Sequence, residues 1–144
     1  MTAASRGMVI DASVALSWCF EDESSALTDA ALRQLGLAPA VAPALWPLEV
    51  ANGLRSAERR GRLDDRAIPA ATHLLMTLPI DVEEAPDLDA AMGRILPMAR
   101  ALGLSIYDAT YLDLASRRGL PLATADDQLA RAARAAGVAL FEAS

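Results

Sequence analysis

The sequence predicts a three-layer α/β fold, with helices on both faces of a central, mainly parallel five-stranded sheet. Short apolar runs alternate with longer segments of helical period, the pattern that implies a parallel sheet covered on both sides. Glycines close most of the helical segments, as C-terminal glycines do. Of the 144 residues 53% are hydrophobic but only 4% aromatic, so the core must be layers of Leu, Val, Ile and Ala between closely approaching helices. That length and apolar content suit a single domain.

The first apolar run, Gly7 to Asp11 (G-M-V-I-D), is read as a strand ending in an acid, and Ala12 to Phe20 as the helix it feeds. Ser24 to Leu35 follows with helical period and stops at Gly36. A second strand is placed at Ala40 to Pro43. Pro47 suits the first turn of a helix running to Arg60, closed by Gly61. Helix Asp64 to Leu78, strand Ile80 to Glu83 and helix Leu88 to Leu102 come next, the last ending at Gly103. Ile106 to Arg118 is the most regular helical segment before Gly119. Strand Leu120 to Ala123, helix Asp126 to Ala136 and strand Val138 to Phe141 complete the chain.

Composition removes several kinds of chemistry. Cys19 is the only cysteine and His73 the only histidine, so an internal disulfide, a thiolate zinc cluster and a Ser/His/Asp or two-imidazole mechanism are all set aside. Cys19 reads as a plain buried thiol and His73 as structural. All thirteen basic residues are arginine, which excludes P-loop, Schiff-base and lysine-dependent phosphoaspartyl sites, and counts heavily against a receiver-type signalling domain, which the acids at strand ends would otherwise serve. No run reaches the roughly 20 apolar residues of a membrane span, and no signal peptide is recognisable, so a cytoplasmic protein without membrane association is expected. A net charge of −6 argues against a general nucleic-acid-binding surface. Any such role must be local, and a divalent ion would offset part of the acidity.

In a parallel sheet, ligands bind beyond the carboxyl ends of the strands. Asp11 closes the first strand and Asp126 follows the fourth at that same edge, although each could equally be a helix N-cap. Asp108 shares a helix face with Tyr111, Leu112 and Ala115, where an unpaired carboxylate is costly and either holds its proton or binds a cation. Glu49 shares its face with Asn52, Gly53 and Ser56, a small polar stripe on an aliphatic helix. Carboxylates crowded to about 4 Å repel by roughly 4 kcal/mol per pair at an effective dielectric of 20, so their convergence calls for a cation. Oxygen ligands without His or Cys select Mg²⁺ or Mn²⁺.

Four blocks, V-I-D-A-S at Val9 to Ser13, W-P-L-E-V-A-N at Trp46 to Asn52, Y-D-A-T-Y-L-D-L-A at Tyr107 to Ala115 and A-T-A-D-D-Q-L at Ala123 to Leu129, resemble the PIN-domain ribonucleases, specifically the VapC-type toxins of bacterial toxin–antitoxin pairs. Together they run through nearly the whole chain in the family's order. The resemblance implies an acidic quartet of Asp11, Glu49, Asp108 and Asp126 as catalytic and metal-binding residues, supported by Ser13, Asn52 and Thr124. It also implies metal-dependent RNA cleavage, a homodimer and a cognate VapB-type antitoxin. An orphan RNA-processing nuclease and an inactive PIN-like binding module are the alternatives. Met1 to Gly7 precede the family's usual start, so they are expected to be a disordered extension of a domain spanning residues 8 to 144. Asp127, beside Asp126, leaves open which carboxylate reaches the ion. Arg55, Arg59, Arg60 and Arg62, with Arg66, form the densest basic run and the candidate RNA track. Trp18, Trp46 and Leu37 are the apolar candidates for a partner surface, with burial in the core as the competing expectation.

Overall fold

The computed structural model describes residues 7–143, so the extension expected over Met1 to Gly7 lies, except for Gly7, outside the described residues. Gly7 leads directly into the sheet and passes so near the Pro39 carbonyl oxygen that a Cβ would stand 2.9 Å from it.

Strands β1 (Val9–Ile10), β2 (Ala40–Ala42), β3 (Ile80–Val82) and β4 (Leu122–Ala123) form one parallel sheet in the order β3-β2-β1-β4. The expected fifth strand is reduced to one parallel bridge, Leu122 to Leu140, held by Leu122 N–H to the Ala139 carbonyl and Phe141 N–H to the Leu122 carbonyl, both 2.9 Å. A longer ladder has nothing to pair with, because β4 is only two residues long before the chain turns at Thr124.

Helices α1 (Ala12–Ser17), α2 (Ala26–Leu35), α3 (Trp46–Arg59) and α4 (Ala67–Thr77) connect the first three strands. The first of these stops short of the expected Phe20, and a 3-10 turn at Glu21–Glu23 precedes α2. Ser25 and Thr28 close a capping box on α2. After β3 come α5 (Leu88–Ala90), a π-helical turn (Ala91–Ile95) and α6 (Leu96–Leu102), which together occupy the segment read as one helix. The widening has a local cause, since Pro97 has no N–H to give the Gly93 carbonyl. Gly103 then ends α6 in the left-handed region, at φ 66°. Helices α7 (Ile106–Arg118) and α8 (Asp127–Ala135) flank β4.

Helix α1 packs on α2 and α3, and α3 on α4, while α7 packs on α6, β1 and β4. Right-handed crossovers put these two groups on opposite faces of the sheet, which gives the three-layer α/β/α architecture. The core is aliphatic as expected: Val9, Ile10, Val14, Leu112, Leu114 and Leu122 are fully buried. On its outer side α7 is fastened by Asp113, only 2% exposed. The Asp113 carboxylate accepts from Arg94 Nε at 2.6 Å and Arg117 Nε at 2.9 Å, and Arg117 also pairs with Glu83 at the end of β3. No helix among the described residues is long and apolar enough to cross a membrane.

Candidate active site

All strands point the same way, so the loops following β1, β2 and β4 open at one edge. The strand order reverses direction between β1 and β4, since β2 and β3 build out on one side of β1 and β4 lies on the other. Crevices form at such switch points. Register pairs Val9 with Leu122 and Ile10 with Ala123, which brings the next residues, Asp11 and Thr124, side by side.

Asp11 occupies the N-cap position of α1 but its side chain does not cap the helix. Its Oδ2 instead accepts two hydroxyls, from Ser13 Oγ at 2.8 Å and Thr124 Oγ1 at 2.7 Å. Each hydroxyl oxygen in turn accepts an amide of the loop after β4: Ser13 Oγ from Ala125 N–H at 3.1 Å, Thr124 Oγ1 from Asp126 N–H at 3.0 Å. The two turns are thereby clamped, and Asp11 Oδ1 is left without a hydroxyl partner. Burial raises the Asp11 pKa, the Thr124 and Ser13 hydroxyls oppose this, and the charge of Asp126 adds to the rise.

Asp126 keeps the capping role that the sequence allowed it: Oδ1 accepts from the Gln128 and Leu129 amides at 2.8 and 3.2 Å. It acts on both Asp11 and Asp108 through its charge. Asp127, the first residue of α8, lines a groove of about 670 Å³ with Ser13, Thr124, Arg60 and Arg62. Asp126 is the member of this pair whose charge acts on Asp11 and Asp108.

Asp108 sits in the first turn of α7, where the Ser105 side chain caps its amide at 3.1 Å. It is half-buried rather than sealed in the apolar face. Burial raises its pKa first, followed by the charges of Asp126 and Asp11. Glu49, in the first turn of α3, accepts a hydrogen bond from the Tyr111 hydroxyl. Its pKa is also raised, by burial first and then by Asp11 and Asp108, with the tyrosine opposing. Tyr111 itself is wholly buried and pushed well above the usual phenol range by burial and by Glu49, so it stays a donor. This bond is the functional contact that sequence reading missed. The available signal was a tyrosine three residues after Asp108 on the same face, because a buried phenol needs a partner.

The structure thus brings all four sequence-predicted acids within one another's fields, directly or in a chain. None has an arginine at salt-bridge distance: the ion pairs among the described residues join Arg55 to Glu58, Arg62 to Asp22 and Glu23, and Arg94, Arg117 and Arg118 to Asp113 and Glu83. The crowding is looser than direct contact, however. Among the described residues no three His, Cys, Asp or Glu side chains stand close enough to form a ready-made metal cage. A donor set of this kind fits a hard ion that takes one or two carboxylates and keeps several waters.

Other expected residues are placed less centrally. Asn52 is exposed on α3, three residues after Glu49. Arg55 is paired with Glu58, and Arg62 stacks over Phe20, 4.4 Å from the ring centroid, while paired with two acids. Arg59, Arg60 and Arg66 are exposed. Trp46 is buried, Trp18 is half-buried with Nε1 donating to the Thr28 carbonyl at 2.8 Å, and Leu37 is exposed. His73 is exposed on α4 rather than part of the core. Cys19 is half-buried, its pKa raised by burial and then Glu23, which disfavours a reactive thiolate.

Residues 8–135 match the PIN domain, and the chain belongs to that family. PIN domains are generally nucleases and typically use divalent metal ions. Among solved structures the chain is similar to that of PAE2754 from Pyrobaculum aerophilum, at 27% identity and a TM-score of 0.65, over 91% of this chain and 87% of that one. No curated protein matches.

Proposed function

We propose that this PIN domain is a Mg²⁺- or Mn²⁺-dependent endoribonuclease and the toxin of a toxin–antitoxin pair. One observation carries the nuclease reading: at the sheet's switch point the carboxyls of Asp11, Glu49 and Asp108 are raised above their ordinary pKa values, by burial first and then by the charge of neighbouring acids, Asp126 among them, and no arginine among the described residues pairs with any of the four. Such repulsion is relieved by a cation. Asp11 and Asp108 would hold the ion, with Glu49 and Asp126 completing the set directly or through water. When bound, the ion would supply an activated water for in-line attack on an RNA phosphodiester and offset the charge developing on the leaving oxygen.

The chain's own residues prepare that site. Ser13 and Thr124 fix the Asp11 carboxylate through Oδ2, so that neither hydroxyl occupies Oδ1, the oxygen that would reach the ion. Tyr111 fixes Glu49 in the same manner. Asn52 would add a polar contact at the rim, and Arg59, Arg60 and Arg66 are the run's members free of the ion pairs that hold Arg55 and Arg62, which makes them the basic approach for RNA. A VapB-type antitoxin and a homodimer follow from the toxin reading, which rests on the four sequence blocks.

Purified protein should cut single-stranded RNA with Mg²⁺ or Mn²⁺ and stop when EDTA is added. Induction in a bacterial host should arrest growth, and co-expression of a cognate VapB-type antitoxin should restore it. Metal-independent cleavage defeats the metal-ion reading of the four acids, and no cleavage defeats the nuclease reading. Cleavage without growth arrest leaves a nuclease and defeats the toxin reading.

A further inference from the structure

A second cleft, of about 320 Å³, opens between the β2–α3 and β3–α5 loops and the start of α7, where Tyr107 lines it one residue before Asp108. Its walls are mainly apolar, from Pro43, Leu45, Pro86, Ile95, Ile106 and Tyr107. It adjoins the acids through two elements, since Tyr107 immediately precedes Asp108 and Leu45 leads into the helix carrying Glu49. The volume is at the lower end of the range for small-molecule sites.

We infer that this cleft is a nucleobase subsite, taking the base beside the scissile phosphodiester stacked against Tyr107. The inference rests on the nuclease reading above. Tyr107 is 65% exposed, and it is the one exposed aromatic among the described residues; Tyr111 and Trp46 are buried, and Trp18, Phe20 and Phe141 are half-buried. An exposed ring beside a phosphodiester-cutting centre is what a single strand uses, because every base presents a π-face.

The charges around the cleft favour a base over an ion. Asp113 is occupied by Arg94 and Arg117, and Glu83 by Arg117 and Arg118. Glu84, exposed at the rim, is in no ion pair and repels phosphate. The phosphodiester is therefore kept on the metal side, and the uncharged face of a base enters.

The test is steady-state cleavage of a single-stranded oligoribonucleotide in Mn²⁺ by the full chain. Tyr107→Ala should raise KM about tenfold or more with a smaller change in kcat, since stacking on one aromatic is of that size. Tyr107→Trp should restore KM toward the wild-type value. Met76→Ala, which removes a still more exposed apolar side chain on α4 (81% exposed), should change neither parameter. An abasic nucleotide beside the cut should raise KM for the wild type and add nothing in Tyr107→Ala. RNA cleavage with wild-type KM in Tyr107→Ala overturns the subsite alone and leaves the cleft to a protein partner. A wild-type chain that cuts no RNA overturns the nuclease reading and the subsite with it.

Discussion

Asp11→Asn is expected to lower RNA cleavage by at least about 10²- to 10³-fold, the scale of removing one well-placed electrostatic contact from a transition state. The substitution keeps the size of the side chain and can still accept both the Ser13 and Thr124 hydroxyls through its carbonyl oxygen. The clamp between the β1–α1 and β4–α8 turns is therefore retained, and the far-UV CD spectrum should match the wild type. What changes is charge. A neutral amide binds Mg²⁺ or Mn²⁺ poorly and no longer contributes to the repulsion felt by Glu49 and Asp108. The variant should accordingly be inactive but, in metal-free buffer at neutral pH, no less stable than the wild type. Near-wild-type activity in Asp11→Asn would remove the residue from the site. A collapsed CD spectrum would make its role structural.

The second large effect is on stability as a function of pH and metal. Asp11, Glu49 and Asp108 all have pKa values raised on folding, so the native state holds protons at pH values where the unfolded chain has released them. Stability from these groups is complete below their ordinary values near 3.8 and 4.5 and is lost as pH rises through the raised native values. Metal-free protein should thus lose stability on going from mildly acidic to neutral pH. Glu83, held below its ordinary value by Arg117, works in the opposite sense and weakens the fold as pH falls through its lowered value. The acidic limb should therefore turn over.

Added Mn²⁺ should reverse the neutral-pH loss, since ion and proton compete for the same oxygens. At a hundredfold excess over its dissociation constant the ion contributes about 2.7 kcal/mol, or roughly 5–10 °C in a domain of this size. The shift should shrink as pH falls, and differential scanning fluorimetry from acid to neutral pH reads both trends. A melting temperature indifferent to Mn²⁺ at neutral pH would contradict the site.

Much of this architecture was legible because its signals are local. Asp11 ends an apolar run, Gly103 and Gly119 close helices in the left-handed region, and α7 begins and ends where its period does. The acids could be singled out because each stands at a strand end or on the face of a helix that turns inward. The contacts that orient them were not legible. The Tyr111 hydroxyl reaches Glu49 across 62 residues of sequence, and Thr124 reaches Asp11 across 113. Such bonds depend on strand order and register, which periodicity does not specify. The fifth strand failed for a related reason: Val138 to Phe141 has strand composition, but β4 offers it only Leu122 to pair with. The basic run, continuous along the chain, is divided in space because Arg62 is drawn to Asp22 and Glu23, some forty residues earlier. The salt-bridge network around Asp113 had a partial signal, an acid and an arginine four residues apart on one helix, but its other members lie on β3's exit and the π-helical turn.

The central claim is that Asp11, Glu49, Asp108 and Asp126 share a divalent ion. Anomalous diffraction from crystals of the wild-type chain soaked in Mn²⁺ tests it most directly. A peak is expected between these four side chains, in direct contact with Asp11 and Asp108, and absent from Asp11→Asn crystals soaked alongside. No peak there at saturating Mn²⁺, or one held by other residues, would contradict it.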